Sequence, residues 1–282
     1  MIASASYAGA DDVALRPRFQ VGDRYALSLS LDTETRVDAR GGARDSFRED
    51  VELRYAAQVE VLETDAAGLP LRERHEGVEL DSVRAKETTA LFVKGAVFEL
   101  TRRPDSSVEI HFRGARVEPR IEKIVGDLLA HQTEYAIAAL LDPGRPLAIG
   151  ERWELDPERV GEFLRTRGIQ SVALDGAASA ELAKNRREEL VVRYRIPIRR
   201  FALPELPEGS SASNSEGRLE GEVQLDGHGA HRARAHASKL QLDIEGALRA
   251  PGSSRAGRWH LRRSQSVDQH TETLKDQLAS SR

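Results

Sequence analysis

The sequence contains no cysteine and only one methionine among its 282 residues. The missing thiols exclude disulfide bonds, cysteine nucleophiles and cysteine-ligated zinc. Aromatic residues make up 5% of the chain, and no apolar run approaches the length of a membrane-spanning helix. The formal net charge is −4, because 42 basic and 46 acidic residues are mixed along the chain. Without a basic surface on the scale of a domain, nucleic acid is not an expected partner.

Known catalytic and phosphate-binding motifs are also missing. The chain has no G-x-S-x-G, no H-E-x-x-H and no G-x-x-x-x-G-K-[ST]. A lone histidine can act as a general base when a nucleophile faces it, but His75, His111 and His131 have no evident partner. We therefore interpret them as surface histidines. The sequence predicts a protein that is not an enzyme, with no catalytic residue and no cofactor.

The segment HGAHRARAH brings three histidines together, at His228, His231 and His236. In a strand, His231 and His236 point to opposite faces, and the neighbouring arginines repel a cation. Our interpretation is a solvated hairpin without a bound metal ion.

The N-terminal segment MIASASYAGADD has neither a charged n-region nor an apolar h-region, so it is not an intact signal peptide. Its small residues resemble those that follow a signal cleavage site, and the alternative is a flexible tail on a cytoplasmic protein. The absence of cysteine favours an exported protein, so we expect a periplasmic or secreted location. Residues 1–14 and 273–282 are expected to be flexible tails.

Alternating side chains predict long strands. From Tyr25 to Ala39 the odd positions are mostly apolar and the even positions polar, as in a strand with one packed face. Gly41-Gly42 predicts a hairpin, and the apolar parity changes near Gly77, which indicates a bulge. Similar patterns give about eleven strands, more than a flat sheet usually holds. The predicted fold class is α+β, mainly antiparallel, as a large curled sheet or incomplete barrel.

Two segments have helical periodicity. Apolar residues between Pro119 and Leu141 follow one helical stripe, and Asp142-Pro143-Gly144 ends it. A shorter helix begins at Asp156-Pro157-Glu158, which combines an N-cap, a first-turn proline and an acid near the positive end of the dipole. We expect both helices, one long and amphipathic and one short, to pack on the concave face of the sheet.

A repeated phrase suggests an internal duplication. RPRFQVGDRYALSL starts at Arg16 and RPLAIGERWELDPE starts at Arg145, with the same spacing from glycine to aromatic in Gly22–Tyr25 and Gly150–Trp153. We predict a single β-rich domain over residues 15–272 with two related halves, 15–144 and 145–272. Each glycine would turn the chain into a strand, and each aromatic would fasten that strand by packing inward.

These phrases support two resemblances. FQVGDRYAL and PLAIGERWEL, separated by long alternating strands, resemble uncharacterised exported envelope proteins of planctomycete-like bacteria, a family that implies no catalytic residues. The order of strands and helices resembles the periplasmic lipoprotein carriers, which are incomplete barrels closed by helices. The carrier likeness implies a hydrophobic cavity for acyl chains.

Long amphipathic strands beneath a helix enclose an aliphatic interior, which either binds an apolar ligand or is simply a filled core. The leading prediction is a non-enzymatic exported protein that binds a lipid or acyl ligand. The alternatives are an accessory subunit of a bacterial envelope assembly, acting through a protein partner, and a hydrolase without a recognisable motif. The candidate apolar lining consists of Leu29, Leu31, Leu53, Tyr55, Leu128, Tyr135 and Leu140.

Overall fold

The protein forms one large antiparallel sheet that curls without closing, with two helices against it. The computed structural model describes residues 13–15, 18–40, 46–103, 108–129, 140–165, 167–184, 187, 189–203, 210–225, 233–249 and 256–274. The predicted α+β class is confirmed. The described residues form fourteen strands, where the sequence predicted about eleven. Short strands account for much of the difference, such as β7 with two residues.

Long strands dominate the chain, and two helices interrupt their succession. The strands are β1 (Arg24–Arg40), β2 (Phe47–Thr64), β3 (Pro70–Arg84), β4 (Glu87–Ala90), β5 (Ala96–Arg102), β6 (Val108–Phe112), β7 (Ala115–Arg116), β8 (Arg152–Glu154), β9 (Gln170–Leu174), β10 (Ser179–Lys184), β11 (Leu190–Ala202), β12 (Ser210–Leu225), β13 (Ala233–Arg249) and β14 (Ala256–Thr273). The helices are α1 (Pro119–Leu129) and α2 (Pro157–Arg165).

The first and last strands meet in the middle of the sheet. Its order is β7-β6-β5-β3-β2-β1-β14-β13-β12-β11-β10-β8, while β4 pairs with β3 and β9 with β11. The β1–β14 pairing runs from Tyr25 opposite Thr273 to Arg40 opposite Arg258. Each half of the sheet is therefore a meander, and the central antiparallel pair joins the two meanders.

Strand β1 shows why the sequence pattern predicts its orientation. Tyr25, Leu27, Leu29 and Leu31 are buried, while the residues between them are exposed or partly exposed. Side chains alternate between faces along a strand, so this pattern places the apolar side chains on one face. We call this the inner face of the sheet, and the opposite surface its outer face.

The bulge predicted near Gly77 is present. The register of β3 shifts between His75 and Val78 against β5, and the pairing of β2 with β3 shifts between Ala56 and Gln58. An extra residue in one strand moves all later side chains to the other parity. The residues before and after the bulge can therefore share the inner face although their parities differ.

Both helices pack on the inner face. In α1, Val125, Leu128 and Leu129 are buried. A Cβ atom at Gly126 would lie 2.9 Å from Val108 on β6, so glycine permits the close approach of helix and strand. The end of the predicted helix cannot be compared, because residues 130–139 lie outside the described ranges. Helix α2 starts as predicted, with the Asp156 carboxylate accepting a hydrogen bond from the backbone at position 158.

The first copy of the repeated phrase forms a tight turn into β1. Gly22 has a φ of 92° and donates its backbone N–H to the carbonyl of Val61 at 2.8 Å. The Asp23 carboxylate accepts a hydrogen bond from the Gln20 backbone at 2.7 Å. This turn delivers Tyr25 to the inner face, where it is buried.

The second copy forms the same turn into β8. Gly150 has a φ of 88° and donates to the carbonyl of Leu182 at 2.7 Å. The Glu151 carboxylate accepts a hydrogen bond from the Ala148 backbone at 3.0 Å. Trp153 follows and is buried. Both turns make the same hydrogen bonds, which is consistent with the same spacing from glycine to aromatic residue in both copies.

The buried apolar residues divide into two cores. The first core contains inner-face residues of β1–β3, β5 and β6, residues of α1, and Val267 of β14. The second core contains residues of β8 and β10–β14, residues of α2, and the segments around Leu15, Leu140 and Leu147. A backbone bridge between Val13 and Leu147 joins two of these segments.

Candidate functional site

The predicted apolar lining is divided between the two cores. Leu29, Leu31, Tyr55 and Leu128 are buried in the first core, and Leu53 packs against it. Leu140 belongs to the second core, and Tyr135 lies outside the described residues. Five of the lining residues therefore lie in or against the first core, and Leu140 lies in the second.

These lining side chains are tightly packed. Leu128 has 0% of its surface accessible to water, and Leu29 has 2%. A side chain that no water-sized probe can reach has no cavity of that size beside it. The leucines of the first core therefore contact one another and the helix, rather than an open interior.

A polar network lies inside the first core. The Tyr25 hydroxyl donates to Glu73 Oε1 at 2.6 Å, and Glu73 Oε2 lies 3.6 Å from the guanidinium of Arg102. His75 Nε2 lies 3.9 Å from the same carboxylate oxygen, and His75 Nδ1 is 2.6 Å from the hydroxyl of Tyr55. The carboxylate therefore sits at the centre of a group of buried polar side chains.

The electrostatics of this network are balanced. Burial by itself raises the pKa of Glu73, but the neighbouring His75, the charge of Arg102 and the hydrogen bond from Tyr25 outweigh it, so the net pKa lies below its usual value. Burial and the nearby carboxylate raise the pKa of Tyr55 well above its usual value. Glu73 is therefore held as a carboxylate and Tyr55 as a neutral phenol.

A second polar network lies inside the second core. The Tyr194 hydroxyl is 2.9 Å from His236 Nε2, and a Cβ atom at Gly221 would lie 2.5 Å from the Tyr194 ring. Burial, together with the positive charge of Arg167, lowers the pKa of His236 to about 3. Burial also lowers the pKa of Arg167 to about 10, so this side chain is charged and His236 neutral at pH 7.

Two interpretations of histidines were wrong. His75 was interpreted as a surface residue but is 0% exposed, and His236 was placed in a solvated hairpin but is 2% exposed. The alternation of apolar residues along the strands predicts that both histidines are buried. The bulge at Gly77 puts His75 on the same face as Val78, and His236 shares the parity of Leu240. What no pattern revealed was the partner of each histidine.

A crevice opens where the two cores meet. It has a volume of about 340 Å³, and its lining residues are Phe19, Tyr25, Ala233, Arg234, His270, Thr271, Glu272 and Thr273. Phe19 and Tyr25 belong to the first core, with ring centroids 5.8 Å apart, and Ala233 belongs to the second. We call this space the core-boundary crevice. It lies at the end of the central strand pair, and its exposed lining residues are polar or charged.

The outer face of the sheet is charged. It carries an open groove of about 590 Å³, whose charged lining residues are Glu34, Arg36, Asp175, Arg195, Glu216, Arg218, Asp243, Arg262 and Arg263. Ion pairs cross its strands, such as Arg193–Glu222 at 2.7 Å and Arg262–Asp38 at 2.8 Å. Because both signs alternate, this surface offers no field of one sign.

The described ranges contain neither a group of side chains suited to a metal ion nor a helix suited to crossing a membrane. No group of three or more histidine or acidic side chains there could hold a metal ion, and His228 and His231 of the predicted hairpin lie outside those ranges. Neither α1 nor α2 combines the length and the apolar character that crossing a bilayer requires.

Comparisons with known proteins give no family. No family model matches the chain. No curated protein matches it. Among solved structures, lipovitellin, studied for its lipid–protein interactions, aligns over 94% of this chain at 10% identity and a TM-score of 0.40. This chain spans only 26% of the lipovitellin chain.

Two bacterial proteins align less well. DynF, from the dynemicin biosynthesis pathway of Micromonospora chersina, aligns over 96% of this chain and 89% of its own, at 11% identity and a TM-score of 0.23. OccK2 of Pseudomonas aeruginosa aligns over 94% of this chain and 100% of its own, at 8% identity and a TM-score of 0.23. TM-scores this low do not establish a shared fold or a shared function.

Proposed function

We propose that this protein is an exported, non-enzymatic binder of an apolar small molecule, of the lipid or acyl class. The observation that carries the proposal is the core-boundary crevice. It lies between two cores of a curled, unclosed sheet and is walled on one side by the rings of Phe19 and Tyr25. Its volume of about 340 Å³ lies within the range of small-molecule pockets.

The crevice suits an elongated ligand better than the first core does. The leucines of the first core are in contact with one another, so a ligand between them would have to displace packed side chains. At the crevice, the space is already open, and the exposed residues Arg234, Glu272 and Thr273 line it beside the buried rings of Phe19 and Tyr25. An apolar chain placed there would not have to displace packed side chains.

The two buried networks support a role other than catalysis. His75 and Glu73 are 0% exposed, and a general acid or base must reach the proton that it transfers. Tyr55 and Phe98 lie directly against the His75 ring. These groups stabilise a particular arrangement of the sheet. The lack of cysteine is compatible with export, which remains part of the proposal.

Native mass spectrometry of protein purified without detergent tests the proposal. We expect a bound apolar molecule, and we expect a dansylated undecanoic acid to bind to the delipidated protein. Thr273→Trp, at an exposed position in the crevice, is expected to weaken that binding by filling the space. Ala237→Trp is the matched control, because Ala237 is exposed on the outer face of β13.

Protein that carries no ligand and does not bind the dansyl probe would overturn the proposal. An accessory role in an envelope assembly, through a protein partner, would then replace it.

A further inference from the structure

Both copies of the repeated turn present an aliphatic side chain to solvent. Val21 precedes Gly22 and is 67% exposed, and Ile149 precedes Gly150 and is 41% exposed. The turns themselves depend on the glycines, which have positive φ angles, and on the acids that follow them. One exposed aliphatic residue is ordinary on a protein surface, but two at the same position of two matching turns indicate a shared role. We call these two side chains the turn tips.

The turn tips lie at the same end of the sheet. Every pairing between β1 and β8 is antiparallel, and the two strands are six intervals apart in the sheet order, so they run in the same direction. Each turn leads directly into its strand, which places both tips where β1 and β8 begin. With a strand spacing of about 4.8 Å, the tips are separated by about 29 Å along the sheet.

The core-boundary crevice opens at this end, between the turn tips. Its lining includes Ala233 at the start of β13 and Thr273 at the end of β14. Strand β13 runs in the direction of β1 and β14 runs against it, so both residues lie at the end where β1 begins. Because β13 and β14 stand between β1 and β8 in the sheet order, the two tips flank the crevice.

The surface around each tip carries both signs of charge. Val21 is followed closely by Asp23 and Arg24, and Ile149 by Glu151 and Arg152. The two arginine side chains are 41% and 77% exposed, and each pairs with a glutamate of another strand, at 3.8 Å and 2.8 Å. Exposed ion pairs of this kind are weak and exchange partners at little cost. A zwitterionic lipid headgroup complements them, because it offers a phosphate to arginine and a cation to the acids.

We propose that this end of the sheet docks on the surface of a lipid bilayer, with Val21 and Ile149 inserted among the headgroups. Two side chains about 29 Å apart do not form the contiguous apolar centre of a protein interface. A bilayer accepts separated apolar anchors, because its surface has no fixed shape to match. The docking goes beyond the proposed function, and it turns the crevice towards the membrane.

Co-sedimentation with phosphatidylcholine vesicles, over a titration with excess lipid, tests the docking. Val21→Asp and Ile149→Asp should each weaken vesicle binding about ten-fold, since each replaces one inserted aliphatic side chain by a charge. The double variant should weaken it about a hundred-fold. Val93→Asp is the matched control, because Val93 is 70% exposed and precedes β5, which begins at the opposite end of the sheet. It should keep the wild-type affinity.

Binding of the dansylated undecanoic acid separates the docking from the proposed function. The double variant should bind this probe as the wild type does, since neither turn tip lines the crevice. Vesicle binding by protein that does not bind the probe supports the docking and removes only the proposed function.

Three results would overturn the docking. One is a wild-type protein that does not sediment with the vesicles, and another is an equal loss of binding in Val93→Asp. The third is self-association of the wild type that the double variant abolishes, without vesicle binding, which would assign the turn tips to a second copy of this chain.

Discussion

The two cores bury the same residue types but balance their charges differently. In the first core, Glu73 accepts a hydrogen bond from Tyr25 and lies beside Arg102. In the second core, no carboxylate of the described residues pairs with Arg167, and His236 is neutral beside it. Removing one partner of a buried ion pair destabilises the fold. Removing a buried charge that has no partner also removes its desolvation cost, so the fold loses little stability. Neutralising a buried charge should therefore cost much more stability in the first core than in the second.

The largest effect is expected at Glu73. Glu73→Gln removes the carboxylate that lies 3.6 Å from the Arg102 guanidinium in the first core, so the free energy of unfolding should fall by about 3–5 kcal/mol. Arg167→Met in the second core should change it by less than about 1 kcal/mol, because a buried charge is removed along with its contact to Phe163.

Urea unfolding at pH 7 measures the unfolding free energy of Glu73→Gln and of Arg167→Met. Glu99→Gln is the control, since Glu99 forms only surface ion pairs with Arg72 and Arg74. Equal losses for Glu73→Gln and Arg167→Met would show that charge balance does not distinguish the cores.

Truncating a buried leucine compares the packing of the two cores. Leu128 in the first core is 0% exposed and Leu140 in the second is 2% exposed. Each change to alanine should cost about 2–5 kcal/mol, from lost contacts and the cavity left behind. Val93→Ala is the control, because Val93 is exposed. A small cost at Leu140 alone, measured by chemical denaturation, would indicate loose packing in the second core.

Acid should weaken the second core before the first. His236 has a folded pKa of about 3 against an ordinary 6.5, so below pH 6.5 the unfolded chain binds a proton that the native state does not. The loss amounts to about 2 kcal/mol at pH 5. The lowered pKa of Glu73 contributes stability above about pH 4.5, which is lost only as the pH falls further.

The difference in unfolding free energy between pH 7.5 and pH 5 measures this effect. His236→Phe should reduce that difference by about 2 kcal/mol, whereas His111→Gln, at a half-exposed site, should not. If His236→Phe keeps the wild-type pH dependence, the acid sensitivity originates elsewhere.

A modest effect is expected at the repeated turn. Gly22 and Gly150 have φ angles of 92° and 88°, and a Cβ atom at either would meet no other atom within 4 Å. Each change to alanine should therefore cost only the backbone strain, about 1–2 kcal/mol. Similar changes in melting temperature are expected. A clearly larger change at one glycine would show that the two turns differ in function.

Sequence patterns among residues close together in the chain predicted much of the fold. The alternation along β1, the bulge near Gly77 and the cap at Asp156 were read correctly, because each depends on residues close together in the chain. Leu29 and Leu128 of the candidate lining both lie in the first core. That these leucines fill their space depends on volumes contributed by several strands and a helix, which no pattern contains.

The sequence by itself determined which face of each strand is apolar, where the chain turns and where the helices start, since local sterics and hydrogen bonds decide these features. Only the tertiary structure decided that β1 pairs with β14, as in the contact of Asp38 with Arg262 across 224 positions. It also decided that Glu73 faces Arg102 while Arg167 faces no described carboxylate. Charge compensation in a core depends on distances between strands, and those distances exist only once the sheet has formed.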